Sequence, residues 1–492
     1  MNKSDFYGRD FELELMDELW HSDKSEFLIL YGRRRVGKTR LLTHWLDRHR
    51  ERAIYWVAEP TSALHQLRSF SQMLYNFGHP DNQAPLNFTY ANWEQAFNEV
   101  ARLAQGERLA LFIDEVTYLI ESDAAVSGML QKVWDHTLKQ TNLMLALCGS
   151  QRGLMHRELL SYQAPLYGRA TAQVELPPLP FQETKNFYPN YDTAEHVAAY
   201  SVFGGVPAYL ERLDSSAPLM RNIQTQLLTP NTLMQEEPRL LLQDFITDTH
   251  NYNGILQAVA NGAKTQSAIS RHTGLSQGHI SKYLSVLRDT GFVERQVPVT
   301  EASKKSRRGQ YFITDPYLRF YYRFLAANMS QMALRAPSHA LKNIEEELPE
   351  FIEVNTWREL CREWLLKASL HLEEYATLDK TGGAWTRKHE IDVVGISQRR
   401  KTLYLGVCSW QNGPVGYGQL TDLISHTGAI VPKSGKWTVH YLGFAREGWT
   451  EEAMAMASEI AQSEDEGSNW TIASARLLDL AQVNDDLIRW VN

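Results

Sequence analysis

At 492 residues the chain is too long for one hydrophobic core, and the usual domain size predicts about three to four domains. Hydrophobic residues make up 43% and charged residues 22%, an ordinary globular composition that excludes a long disordered tract. Lys and Arg number 50 against 58 Asp and Glu, so the net charge of -8 gives no global drive toward nucleic acid or anionic membrane, and any basic site must be local.

The opening MNKSDFYGRDFELELMDELW is charged throughout, and no apolar run approaches the ~18 residues of a membrane span, so neither export nor insertion is expected. Cys148, Cys361 and Cys408 are scattered without zinc spacing, which favours small core residues in a reducing cytoplasm. From Phe27 to about Leu147, short apolar runs alternate with helical stretches, the pattern of a parallel sheet covered by helices. FLILY, AIYWVA, LALFID and LMLALC are the expected strands.

The segment FLILYGRRRVGKTRLLTHWL places Gly32, Gly37, Lys38 and Thr39 in GxxxxGKT spacing between a hydrophobic strand and an amphipathic helix. Glycines let such a loop curl so that backbone N–H groups face the β-phosphate of ATP, with the lysine on β/γ oxygens and the Thr hydroxyl on Mg²⁺. Val36 and Arg40 flank these residues and are counted in the same pocket. LALFIDEVTYL then supplies an acidic strand end, where Asp114 would hold Mg²⁺ and Glu115 would orient and deprotonate the attacking water. LMLALCGSQ ends at Ser150, a candidate γ-phosphate sensor for which a turn residue or helix cap is the plainer alternative.

After PPLPF the strand signals stop, and TAEHVAAYSVFGGVPAYLERL reads as helices broken by a Gly/Pro turn, a helical lid. Within KTQSAISRHTGLSQGHISKYLSVLRDTGFVERQVPV a turn at Thr273 and Gly274 separates two helices, the punctuation of a helix-turn-helix. Ile269, Leu275, Ile280, Leu284 and Leu287 have the spacing of a core, leaving Gln277, His279, Ser281 and Lys282 exposed on the second helix as candidate DNA contacts. FVERQVPVT and GQYFITD would be wing strands, with Lys304, Lys305, Arg307 and Arg308 at the tip for phosphate contacts. A winged helix used for internal packing, with a solvated basic loop, is the competing reading.

FYGRDFELELM, YGRRRVGKT, FIDEV, APLYGRAT and GGVPAYL together resemble the prokaryotic, archaeal-type ATPase family of the STAND class, signal-transduction ATPases with numerous domains. The resemblance covers the first half of the chain and implies an ATPase carrying a winged helix and often a C-terminal restriction-endonuclease-like domain. It places the opening motif, with Gly8 and Arg9, near the adenine, and the lid motif, Gly205 and Pro207, on the nucleotide. Arg169 in PLYGR is the candidate γ-phosphate-sensing or finger arginine, with a structural salt bridge as the equal alternative.

From about 350 the pattern is again mixed α/β, and TWRELCREWL, WTRKHEIDVVGI and KTLYLGVCSW resemble the helix, strand and strand of the PD-(D/E)xK nuclease-like fold. Related ATPases usually read GECKW on the last strand, so Val407 stands at the metal-binding Glu and Ser409 at the Lys. Asp392 remains, with Glu390 beside it and Glu359 or Glu363 as helix acid, and Mg²⁺ requires converging oxygens that Val cannot offer. A degenerate, non-cleaving module is therefore expected.

The expected fold is a P-loop NTPase parallel α/β sheet over residues 1–180, a helical lid over 181–250, a winged helix over 251–330 and a nuclease-like α/β domain over 331–492. The expected function is a cytoplasmic, ATP-hydrolysing, Mg²⁺-dependent switch with ATP and ADP as ligands, DNA as candidate partner, no membrane, and room for a homo-oligomer or protein partner. An ATP-regulated DNA nuclease and an ATP-responsive transcription regulator are the alternatives.

Overall fold

The computed structural model describes residues 6–243, 245–246, 249–301, 306–329, 337–462 and 469–490. The chain divides into two compact units, Met1–Leu179 with Val206–Ala208, and Pro180–Gly205 with Tyr209–Asn492.

In the first unit the four apolar runs form strands β1 (Glu26–Tyr31), β2 (Ala53–Val57), β3 (Leu109–Asp114) and β4 (Leu143–Gly149). A fifth strand, β5 (Ala172–Glu175), which its short, half-buried AQVE sequence does not announce, pairs with β1. The order is β2-β3-β4-β1-β5 and every pairing is parallel. Alternation along β1 feeds two cores: Phe27 and Ile29 pack with Phe70, Phe97 and Trp134, whereas Leu28 and Leu30 pack with Leu41, Leu42 and Trp45. Full burial of each such side chain stabilises by roughly 1.5–3 kcal/mol, enough to fix a sheet covered on both faces. Because ligands bind at the carboxyl ends of parallel strands, this topology directs the loops after β1, β3 and β4 to one edge.

In the second unit, helix Thr193–Phe203 is started by an Asp192/Glu195 capping box and ended at Gly204, whose φ of 66° suits glycine. Helices His250–Ala260, Gln266–Thr273 and Gln277–Asp289 precede a hairpin of β6 (Val293–Gln296) and β7 (Gln310–Ile313), the winged-helix arrangement. Thr265 and Ser276 cap the second and third helices, and Gly274 takes the left-handed C-cap between them.

Helix Arg358–His371 leads into β8 (Lys380–Trp385), β9 (Glu390–Ser397), β10 (Thr402–Ser409), β11 (Trp437–Ala445) and β12 (Trp470–Asp479). The sheet order is β12-β11-β10-β9-β8, antiparallel from β8 to β10 and parallel from β10 to β12. WTRKHEIDVVGI is thus not one strand: Trp385 ends β8, and β9 starts at Glu390 after a turn in which the Thr386 N–H donates to the His389 carbonyl at 2.8 Å. Among the described residues, no helix is long and apolar enough to cross a membrane.

Candidate functional site

The loop after β1 is shaped by two glycines. A Cβ on Gly32 would lie 2.5 Å from the Leu176 carbonyl oxygen, and Gly37, with φ 97°, caps helix Lys38–Leu46 from the left-handed region. Lys38 is 5% exposed, and its ammonium donates to the carbonyl oxygens of Gly32 at 2.9 Å and Arg33 at 3.0 Å. Burial pushes the Lys38 pKa below its ordinary value, an effect that Cys148, Glu115 and Asp114 oppose.

At the end of β3, Asp114 is 1% exposed and gathers hydroxyl donors. Its Oδ2 accepts from the Thr39 hydroxyl at 2.6 Å and the Tyr55 hydroxyl at 2.7 Å, and its Oδ1 accepts from the Glu115 N–H at 2.9 Å. Burial raises the Tyr55 pKa, with the Asp114 charge adding to it, so Tyr55 stays a protonated donor. Glu115 follows with φ 51°, a left-handed conformation costing a non-glycine residue roughly 1–2 kcal/mol, and such strain gathers at functional sites. At the end of β4, which lies between β1 and β3, the Ser150 hydroxyl donates to Glu115 Oε2 at 2.9 Å.

Gly8 and Arg9 both take left-handed conformations, and the Arg9 guanidinium donates to the carbonyl oxygens of Val36 at 3.2 Å and Pro177 at 2.5 Å. The opening motif is therefore fastened to the phosphate loop, and Phe6 stacks on His44 with centroids 4.2 Å apart. Pro207 also reaches this loop, its Cγ 3.9 Å from where a Gly37 Cβ would sit. Arg40 lies within the same helix, one residue past Thr39. Arg169 is engaged elsewhere: Nη2 donates to Asp135 Oδ2 at 2.7 Å and Nη1 to the Pro165 carbonyl at 2.9 Å. The Arg169 hydrogen bond holds the Asp135 carboxyl below the usual range. The Tyr55 hydroxyl was not singled out by sequence, since nothing local pairs it with a carboxylate 59 positions on.

In the second unit Gln277, His279 and Lys282 are exposed on helix Gln277–Asp289, while Ile280, Leu284 and Leu287 are buried. Lys304 and Lys305 lie outside the described residues. Arg307 is exposed, but Arg308 is ion-paired with Glu301 and bonded to the Trp385 carbonyl at 3.3 Å. With the Trp385 indole donating to the Arg308 carbonyl at 2.8 Å, that arginine is committed to β8.

Asp392, 8% exposed, has both oxygens occupied: Arg358 Nη2 at 2.9 Å and the Cys408 N–H at 3.0 Å. Glu390 pairs with Arg358 at 3.0 Å and Glu359 with Arg319 at 2.7 Å, and Glu363 accepts from Gln182 at 2.8 Å. Burial raises the Asp392 pKa, with Arg358 opposing it. Among the described residues, no group of three or more His, Cys, Asp or Glu side chains is arranged to hold a metal.

Residues 6–213 match the model of an ATPase domain found predominantly in Archaea. That match covers under half of the chain. Residues 253–295 match a bacterial regulatory protein model of the arsR family, and 321–421 match archaeal and bacterial proteins of unknown function. The three matches follow one another along the chain, an ATPase-type segment, an arsR-type segment and one of unknown function. An uncharacterized protein of Methanocaldococcus jannaschii is 28% identical over 407 residues, 83% of this chain and 88% of that protein. An uncharacterized ATP-binding protein of the same organism is 48% identical over 42 residues, 8% of this chain and 71% of that protein. A Walker-type ATPase of Pyrococcus abyssi is similar at 20% identity and a TM-score of 0.49, covering 65% of this chain and 96% of that one.

Proposed function

We propose that the chain is a Mg²⁺-dependent, ATP-hydrolysing switch that couples nucleotide state to its winged helix and to a non-cleaving C-terminal module. The observation that carries this reading is the meeting of the Thr39 hydroxyl and the Asp114 carboxylate at 2.6 Å beside the buried Lys38. A hydroxyl and a buried carboxylate at the carboxyl edge of a parallel sheet are hard oxygen donors of the kind Mg²⁺ takes. Thr39 and Asp114 would hold that ion, which when bound neutralises charge on the β- and γ-phosphate oxygens.

On this reading Lys38 leaves its two carbonyl partners for the phosphates, and backbone N–H groups of the Gly32–Lys38 loop face them. Glu115 orients and deprotonates the water that attacks the γ-phosphorus as the β–γ bridging bond breaks, yielding ADP and phosphate. Ser150 and the left-handed backbone hold the Glu115 carboxylate in place, and Tyr55 and Thr39 orient Asp114. Arg9, Pro207, Val36 and Arg40 complete the nucleotide pocket.

Coupling is supported by the chain path: Val206–Ala208 belong with the P-loop unit while residues on both sides belong with the second. A ligand shifts an equilibrium only through differential contacts, and Pro207 at Gly37 is positioned to sense whether the loop is filled. The exposed face with Gln277, His279, Lys282 and Arg307 is the proposed DNA contact. The C-terminal module is read as a nuclease-like fold without cleavage, since Arg358 holds the Asp392 charge and Val407 and Ser409 replace the usual Glu and Lys.

Small-angle scattering and limited proteolysis with a non-hydrolysable ATP analogue and with ADP test the switch, and identical profiles would contradict it. Gel shifts comparing wild type with a Lys282→Ala, Arg307→Ala variant test DNA contact, with retained affinity as the contrary result. Incubation of linear, supercoiled and single-stranded DNA with Mg²⁺ or Mn²⁺ and ATP should give no cutting. Cutting by wild type that disappears in Asp392→Ala would make the module a live nuclease.

A further inference from the structure

A cavity of about 290 Å³ opens inside the second unit, walled on one side by Lys264 and β7 of the winged helix and on the other by Arg358, Arg362, Trp385 and Glu390. That size is near the lower limit of small-ligand sites. Five of its lining side chains are cationic and four acidic, but the acids are mostly committed. Glu347, Glu359 and Glu390 are paired with Arg323, Arg319 and Arg358. Outside these pairs the lining leaves Lys264 and Arg362 against Glu350, a cationic excess.

Among the described residues the Lys264 ammonium has no hydrogen bond and no ion pair, and it lies 5.0 Å from the centroid of the Phe312 ring. Burial pushes its pKa down; Glu390 works against that shift and Arg358 and Arg362 add to it. Nε of Arg358 is buried with no hydrogen-bond partner among the described residues, although both Nη atoms are ion-paired. Arg362 uses Nε on the Asp392 carbonyl at 2.7 Å. Buried donors and charges without partners cost free energy unless something satisfies them. Tyr311, Phe312 and Trp385 add aromatic faces to the same walls.

We propose that this cavity is a second ligand site, taking a small phosphate-bearing molecule of mononucleotide size with its phosphate on Lys264 and Arg362 beside the Arg358 guanidinium and its ring on the aromatic walls. A multi-oxygen anion can satisfy several convergent donors at once, which a neutral or cationic ligand cannot. The site straddles winged helix and C-terminal module, so its occupancy reports to both without using the P-loop.

The test uses the full chain carrying Lys38→Ala, titrated calorimetrically with AMP, with inorganic phosphate and with a 5′-phosphorylated oligonucleotide, before and after adding Lys264→Met. Lys264→Met should fold with unchanged or higher Tm, because a lysine whose pKa is lowered on folding opposes folding below that pKa. AMP is expected to bind at a site weakened about 10-fold or more by Lys264→Met, with phosphate competing, since a charge-assisted contact to phosphate is worth at least that factor. Residual nucleotide at the P-loop would not respond to Lys264→Met, so failure of the ATP reading is separable. AMP and phosphate binding that is absent or indifferent to Lys264→Met would overturn the proposal. Lys264-dependent binding of the oligonucleotide alone would overturn it in favour of a strand end.

Discussion

Two buried aspartates, one in each unit, show how neighbours decide what a carboxylate can do. Asp114 closes β3 and Asp392 lies near the start of β9, and both are under a tenth exposed. The donors around Asp114 are neutral: the hydroxyls of Thr39 and Tyr55 and the Glu115 N–H. Asp392 instead faces the Arg358 guanidinium, itself bridged to Glu390. A carboxylate held by neutral donors keeps its charge for a cation, whereas one paired with arginine is already compensated. On the proposed reading Asp114 serves Mg²⁺, whereas Asp392 forms a structural ion pair with Arg358.

The largest expected effect breaks the second site. Arg358→Ala leaves Asp392 buried and uncompensated and should destabilise by roughly 3–5 kcal/mol, while Arg358→Met with Asp392→Leu should recover most of the loss. Urea unfolding of the two variants checks this, and equal stability of Arg358→Ala and wild type would mean the pair is not buried in solution. Asp392 also gives a pH signature of defined sign. Its folded pKa lies above the ordinary 3.8, so the native state binds the extra proton and stability falls as pH rises from 3.8 through the folded value. Removing Arg358 should move that window upward.

A smaller effect sharpens the first site. Tyr55→Phe removes one of two hydroxyls on Asp114 Oδ2 and should lower kcat by about 10-fold, since a hydrogen bond to a charged group is worth about 1.5–3 kcal/mol. Unchanged ATP affinity beside reduced turnover would distinguish positioning of Asp114 from loss of the fold. The smallest effect is the pH dependence of binding. Burial lowers the Lys38 pKa in the nucleotide-free chain and phosphates would restore its charge, so ATP binding takes up a proton and affinity declines as pH rises through that lowered pKa. Calorimetry in buffers of different ionisation enthalpy reads the proton directly, and release instead of uptake would contradict the role of Lys38.

The strand, glycine loop and helix around Lys38 are legible because their signal is local: glycine spacing, a strand before it and a helix after it fall within some twenty residues. The winged helix was legible for the same reason, through the Gly274 turn and the periodic Ile269, Ile280 and Leu284. What sequence missed depends on contacts between distant positions. Tyr55 and Asp114 meet only because β2 and β3 are neighbours, and Arg358 reaches Asp392 only because their helix and strand pack together. In TWRELCREWL, Arg358 and Arg362 stand beside the acids Glu359 and Glu363, and their i, i+4 spacing puts two cations on one helix face. β5 is not legible because the apolar–polar alternation of AQVE spans only four residues, and the β8–β9 turn because WTRKHEIDVVGI reads as continuous across the reversal at Thr386.

The central claim, that Lys38 binds the nucleotide and Glu115 turns it over, is tested most directly by measuring ATP affinity and steady-state phosphate release side by side for Lys38→Ala and Glu115→Gln. The account predicts that Lys38→Ala loses tight binding, while Glu115→Gln keeps wild-type affinity and loses turnover by ~10²-fold or more. Equal loss of affinity in both variants, or turnover surviving in Glu115→Gln, would contradict it.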